Sequence, residues 1–312
     1  MKTKLVALLC ALITIFSLCA CTHQDSGTEL KDSVAFTDAL GRELEISVCP
    51  KRVAALIGSF ADLWVLAGGE LCAAADDAWE DFGLETDAVN LGGAHSPSLE
   101  ALVASEPELV LASSSSASNV AMLDTLDALG IPVAYFDVDC FEDYLNMLDI
   151  CTDITQKKEN YHTYGLELKE RIELAKKKLD ESLAKNKHRI LLLRASSGLL
   201  KAKGSKGTVL GEMLADLGCV NIADSESLLL ETLSIESILE YEPYRIFAVT
   251  MGDEAAAMEN MSRIINESPA WGFLEAIEEN RFHVMEKRLY NIKPNARWAE
   301  AYEKLVDILL KE

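Results

Sequence analysis

Ten residues of this chain occur twice in nearly the same form. Ser98-Leu-Glu-Ala-Leu-Val-Ala-Ser-Glu-Pro107 is matched by Ser234-Ile-Glu-Ser-Ile-Leu-Glu-Tyr-Glu-Pro243, and a short apolar run follows each. In both copies Ser stands where a helix N-cap belongs, Glu lies in the first turn and Glu-Pro closes the helix before a strand. Recurrence of a capped helix by chance is the alternative. Ten positions in register, at corresponding points of two halves, favour two lobes of one design.

The pattern around the repeat supports this. Residues 34–46 alternate and turn at Ala39-Leu40-Gly41, which predicts a hairpin. Beyond it, apolar runs predict strands over 53–57, 71–75, 109–112, 133–136, 190–194, 246–250 and 282–285. Helical spacing predicts helices over 60–67, 98–105, 117–129, 141–151, 209–217, 235–241, 254–265 and 295–310. Strands alternating with helices imply parallel sheets covered on both faces, two Rossmann-like α/β lobes. Between the halves, residues 157–187 are charged and free of Pro. Tyr161, Tyr164, Leu168, Ile172, Ala175, Leu179 and Leu183 keep three- and four-residue steps there. That is one amphipathic helix, read as a strut joining the lobes rather than a coiled-coil arm. The expected organisation is 34–156 for the first lobe, 157–187 for the linking helix and 188–312 for the second lobe. Two lobes on a stiff helix leave a cleft, where small ligands bind.

The first residues carry an address. Lys2 and Lys4 precede an apolar run over 5–18, too short to cross a bilayer comfortably. It ends in Leu18-Cys19-Ala20-Cys21, the order of a lipobox. We therefore expect a lipoprotein signal over 1–21, acylation of Cys21 as a membrane anchor, a polar tether over 22–33 and an extracytoplasmic location. A plain signal peptide cleaved nearby is the alternative. The net charge of −22 argues against nucleic acid or anionic lipid as a partner. Cys49, Cys72, Cys140, Cys151 and Cys219 form no CxxC pair and read as free thiols.

At Phe36-Thr-Asp-Ala-Leu-Gly-Arg42, Pro50-Lys-Arg-Val-Ala54, Ser98-Leu-Glu-Ala-Leu102 and Glu106-Pro-Glu-Leu-Val110 the chain resembles the periplasmic-binding family for ferric siderophores, haem and vitamin B12. The resemblance covers essentially the whole chain after the signal. It implies the class III periplasmic-binding fold and a receptor delivering cargo to an ABC permease dimer driven by an ATPase pair. It also implies that Glu100 and Glu236 dock onto permease arginines; by position alone both would simply favour the positive end of a helix dipole.

Ligand candidates are the residues just after strand C-termini, which point at the crevice of an open α/β sheet. These are Ser59, Phe60, Trp79, His95, Ser96, Ser113, Ser114, Arg194, Lys287, Arg288 and Tyr290. Trp64 and Trp298 read as packing residues. Ser113 and Ser114 sit between strand and helix, where hydroxyls and N–H groups hold an oxygen-rich chelate or merely form a polar turn. His95 lies in a Gly-rich loop and is a metal ligand only if the cargo is haem or a corrinoid; otherwise it is a solvated loop residue. Lys201, Lys203 and Lys206 read as a solvated hairpin. Arg194 ends an otherwise apolar strand, and Lys287, Arg288 and Tyr290 offer donors to anionic or oxygen-rich surfaces. The expected cargo is a small-molecule metal chelate: a ferric siderophore first, haem second, a corrinoid third, with no permanently bound cofactor. No GxSxG, HExxH, GxGxxG after a strand or Walker loop occurs, which disfavours an enzyme. A ligand sensor that does not transport is the remaining alternative.

Overall fold

The computed structural model describes residues 32–180, 188–225 and 227–311. The signal segment, Cys21, nearly all of the tether and the last turns expected of the linking helix (181–187) lie outside the described residues. A hairpin opens the described chain, with β1 (Ser33–Thr37) antiparallel to β2 (Glu43–Ser47) and Val34 opposite Ile46. Its turn is held by Asp38, whose carboxylate accepts the N–H groups of Leu40 and Arg42, each at 3.0 Å, and the Arg42 guanidinium at 2.6 Å.

Two separate sheets follow. β3 (Val53–Ala55), β4 (Leu71–Ala74), β5 (Val89–Asn90), β6 (Leu109–Ser113) and β7 (Val133–Phe136) form an all-parallel sheet in the order β5-β4-β3-β6-β7. β8 (Arg189–Ala195), β10 (Val220–Asn221), β11 (Arg245–Thr250) and β12 (Phe282–Met285) form a second parallel sheet in the order β10-β8-β11-β12. β9 (Leu200–Lys203) runs antiparallel to β8. In each sheet the order reverses direction beside the first strand, so each has a crevice at its strand C-termini.

The repeated decapeptide builds the same object twice. The Ser98 hydroxyl accepts from Ala101 N–H at 3.2 Å, and the Ser234 hydroxyl accepts from Ser237 N–H at 3.3 Å. Glu106 and Glu242 leave the two helices in left-handed backbone, with φ of 45° and 43°. The residue before Pro is disfavoured in the helical region, so each helix stops at the same point. The chain then re-enters the sheet identically: Glu108 N–H donates to Arg52 O at 2.7 Å, Tyr244 N–H to Arg189 O at 2.8 Å.

Three elements depart from expectation. The helix predicted over 117–129 divides into Ala117–Val120 and Leu123–Ala128; at the break the Asn119 carbonyl accepts both the Met122 N–H at 3.1 Å and the Tyr135 hydroxyl at 2.8 Å. The linking helix runs as Lys158–Tyr161, a π-helical turn His162–Leu166, and Glu167–Asp180. Its wide turn coincides with a Tyr144 hydroxyl donating to Tyr164 O at 2.8 Å, the type of insertion that loosens the ladder. The lysine-rich hairpin is not wholly solvated: Leu200 and Ala202 of β9 are buried against Leu193 and Ala195.

Leu168, Ile172, Ala175 and Leu179 of the linking helix are buried in one core with Leu109 and Phe136 of the first sheet, Leu192 and Phe247 of the second, and Trp298 and Leu305 of the C-terminal helix Trp298–Leu310. The lobes therefore share packing rather than hanging on a tether, and each keeps its own core on the far face of its sheet. Cys49, Cys72, Cys140, Cys151 and Cys219 are free thiols.

Candidate functional site

The crevice is closed on one side by side chains reaching between lobes. Lys287 Nζ lies 2.9 Å from Asp81 Oδ1. The Arg288 guanidinium covers the Phe82 ring at 4.1 Å, donates to Lys293 O at 2.8 Å and comes within 3.7 Å of Asp62. Asn295, in left-handed backbone at φ 53°, donates through Nδ2 to Ser59 O and to Asp62 Oδ2, both at 2.8 Å. Burial pushes the Asp62 carboxyl above the usual aspartate range, against the lowering effect of Asn295 and Arg288.

These contacts correct several expectations. Lys287 and Arg288 hold the lobes together, so neither is a free donor for a ligand in this conformation. Tyr290 is buried and its hydroxyl donates to Ala301 O at 2.9 Å, which makes it a packing residue. Ser59 and Phe60 are also buried: the first offers its carbonyl to Asn295, the second packs edge-on against Phe136 at 6.2 Å. Trp79 is half-buried against the shared core. Ser113 and Ser114 spend their polar groups locally. Ser113 N–H donates to Asn119 Oδ1 at 3.0 Å, its hydroxyl pairs with Ser115 at 2.9 Å, and Ser114 N–H donates to Phe136 O at 3.0 Å. His95 and Ser96 are exposed in the turn after β5.

Arg194 behaves differently. It ends the row Ile190, Leu192, Arg194 on β8, whose first two members lie in the shared core. Its Nε is buried with no hydrogen-bond partner, and the guanidinium makes no ion pair among the described residues. Burial alone pulls its pKa down. A buried donor without a partner costs free energy comparable to a lost hydrogen bond, more when charged. Glu100 and Glu236 are exposed on the first turns of the two repeated helices. Among the described residues no three His, Cys, Asp or Glu side chains converge as a metal site.

The interlobe tie was not readable beforehand. Asp81 and Asn295 lie in polar contexts and Asp62 in an otherwise apolar helix, and only the approach of residues 233 positions apart gives them a role.

Two α/β lobes with facing crevices, a stiff link and an unsatisfied cation at a strand end define a ligand-binding protein. Residues 53–289 match the profile of the periplasmic binding protein family, and the chain belongs to that family. No curated protein matches the chain. Among solved structures it is similar to Staphylococcus aureus SirA complexed with staphyloferrin B, with TM-score 0.67 and 21% identity over 88% of this chain and 97% of that one. S. aureus IsdE complexed with heme matches with TM-score 0.68 and 15% identity, over 83% and 99% of the two chains. The catecholate-siderophore binding protein VctP from Vibrio cholerae has the same score and identity, over 89% and 99%. At these identities the likeness speaks to the fold.

Proposed function

We propose that the protein is the extracytoplasmic receptor of an ABC importer, capturing an iron complex between its lobes and handing it to a permease dimer with its ATPase pair. The observation that carries the cargo assignment is Arg194, half-buried at the mouth of β8 with its Nε buried and without a partner. Family membership and the siderophore and haem complexes named for SirA, VctP and IsdE support the class of cargo. A ferric siderophore stands first, haem second and a corrinoid third. The test is a titration of purified protein with a ferric siderophore panel, haemin and cobalamin, read by tryptophan quenching and visible absorbance. Quenching by a siderophore complex is the expected result, and no binding to any class sinks the cargo assignment. A Soret change lost in His95→Ala moves haem to first place.

The anchor belongs to the same reading. No described helix is long and apolar enough to cross a membrane, and Leu18-Cys19-Ala20-Cys21 supplies the acylation order. Cys21→Ala is expected to release the protein from membranes or to block its processing. A variant that stays membrane-bound at unchanged mass shows the anchor to be misassigned. Glu100 and Glu236 are the proposed permease contacts, and the domain limits 34–156, 157–187 and 188–312 are the proposed lobes and link.

A further inference from the structure

A group of basic side chains lies at one edge of the crevice. β9 pairs with β8 so that Arg194 opposes Lys201 and Leu192 opposes Lys203. Opposed residues and their second neighbours share a face, so Arg194, Lys201 and Lys203 project together from the side whose deeper residues enter the shared core. Lys293, in the loop that ties the lobes, lies close enough to Arg194 for the two charges to repel. Burial pulls the Lys203 and Lys293 ammonium groups below the usual lysine range; for Lys293 this outweighs the opposing pull of Asp139 and Asp137 just after β7. Among the described residues the side chains of Arg194, Lys203 and Lys293 form no hydrogen bond or ion pair, and the Arg194 Nε is buried. The opposite lobe comes close here: a Cβ on Gly207 would stand 4.0 Å from Asp139 Oδ2.

The rest of the crevice narrows the ligand chemistry. His95 follows β5, at the far edge of the first sheet from β7. Four strand spacings separate those edges, about 19 Å. Tyr290 and Phe60 are buried, and Phe82 is already covered by Arg288. Among the described residues, the candidate haem donors His95 and Tyr290 and the rings of Phe60 and Phe82 do not stand free beside the cations. A planar guanidinium flanked by two ammonium groups matches carboxylates, which accept in bidentate fashion and carry localised charge.

We propose, resting on the iron-receptor reading above, that Arg194, Lys203 and Lys293 form the recognition subsite and that it takes a carboxylate-bearing ferric chelate. Catecholate, hydroxamate and haem complexes are the disfavoured classes. Asp137 and Asp139 moderate the positive field while the site is empty, and ligand carboxylates supply the missing acceptors for Arg194.

The experiment uses ferric citrate as the carboxylate probe. Ferrioxamine B, ferric 2,3-dihydroxybenzoate and haemin are the comparisons, and tryptophan fluorescence on the purified protein is the readout. Ferric citrate is expected to bind most tightly. Loss of a charge-assisted pair at Arg194→Gln is expected to weaken it about 30-fold, and at Lys293→Gln about 10-fold. Arg194→Gln also removes a half-buried unpaired charge, so its melting temperature should not fall, and Lys293→Gln gives a second variant outside the sheet. Tighter binding of the hydroxamate, catecholate or haem probe overturns this inference and leaves the receptor reading standing. So does citrate affinity indifferent to both substitutions. Absence of binding by every probe overturns the inference and the iron-cargo assignment, and leaves the receptor architecture standing.

Discussion

Reversing the charge of both Glu100 and Glu236 to lysine is expected to abolish uptake by cells while leaving ligand affinity of the purified protein unchanged. The reason lies in the repeat. The two carboxylates occupy the same place in helices that start with the same Ser cap and end with the same left-handed Glu before Pro. Both are exposed, and neither takes part in the interlobe tie or the cation cluster. A permease built as a dimer presents two equivalent surfaces, and a receptor with one matching carboxylate per lobe meets both at once. Charge complementarity of this kind governs encounter and register, and placing like charges together costs several kcal/mol. Uptake of a radiolabelled ferric chelate by cells carrying the double variant should therefore fall by about 100-fold or more. Either single reversal should give an intermediate loss. A double variant that still imports at the wild-type rate removes these residues from the docking surface, and one that loses ligand binding places them in the site or the core.

A large stability effect is expected at Gly58. This residue opens the Gly58–Leu66 helix directly after β3 and presses against the backbone after β4. A Cβ there would stand 2.5 Å from Ala78 N, 2.6 Å from Asp77 C and 2.8 Å from Asp77 O. All three are backbone atoms, so no side chain can rotate away. Gly58 N–H also donates to Asp77 Oδ1 at 2.8 Å, and displacement of either segment loses that bond. Overpacking of this kind costs about 3 kcal/mol, which in a protein of this size lowers the melting temperature by roughly 5–10 °C. Gly198→Ala is the control, because a Cβ there meets nothing within 4 Å. Calorimetry showing Gly58→Ala melting with the wild type contradicts the close approach of these two segments. Because Asp81 and Phe82 follow on the same segment, a partly folded Gly58→Ala variant should also hold its lobes less firmly.

Much of the architecture was legible in the chain itself. The period-two hairpin, the β-α alternation, the stripe Leu168, Ile172, Ala175 and Leu179, and the duplicated decapeptide are local patterns, and local patterns report which face of an element must be buried. Strand edges such as Val133–Phe136 and Phe282–Met285 fell where the apolar runs end. The two-residue strands β5 and β10 are too short for any period to reveal.

The site was legible only in part. The rule that strand ends face the crevice pointed to Arg194, whose isolation at the end of an apolar row is visible in sequence. The same rule also gathered Ser59, Phe60 and Tyr290, which the tertiary packing buries, and Lys287 and Arg288, which it pairs with Asp81 and Asp62. Sequence alone thus determined the fold class, the repeated lobe and the presence of spare positive charge in an acidic chain. Tertiary structure decided which of those charges are already neutralised. Whether a lysine or arginine is free depends on which carboxylate from a distant segment comes within about 4 Å of it, where the Coulomb term becomes large, and that distance is fixed by how the two lobes pack and not by any spacing along the chain.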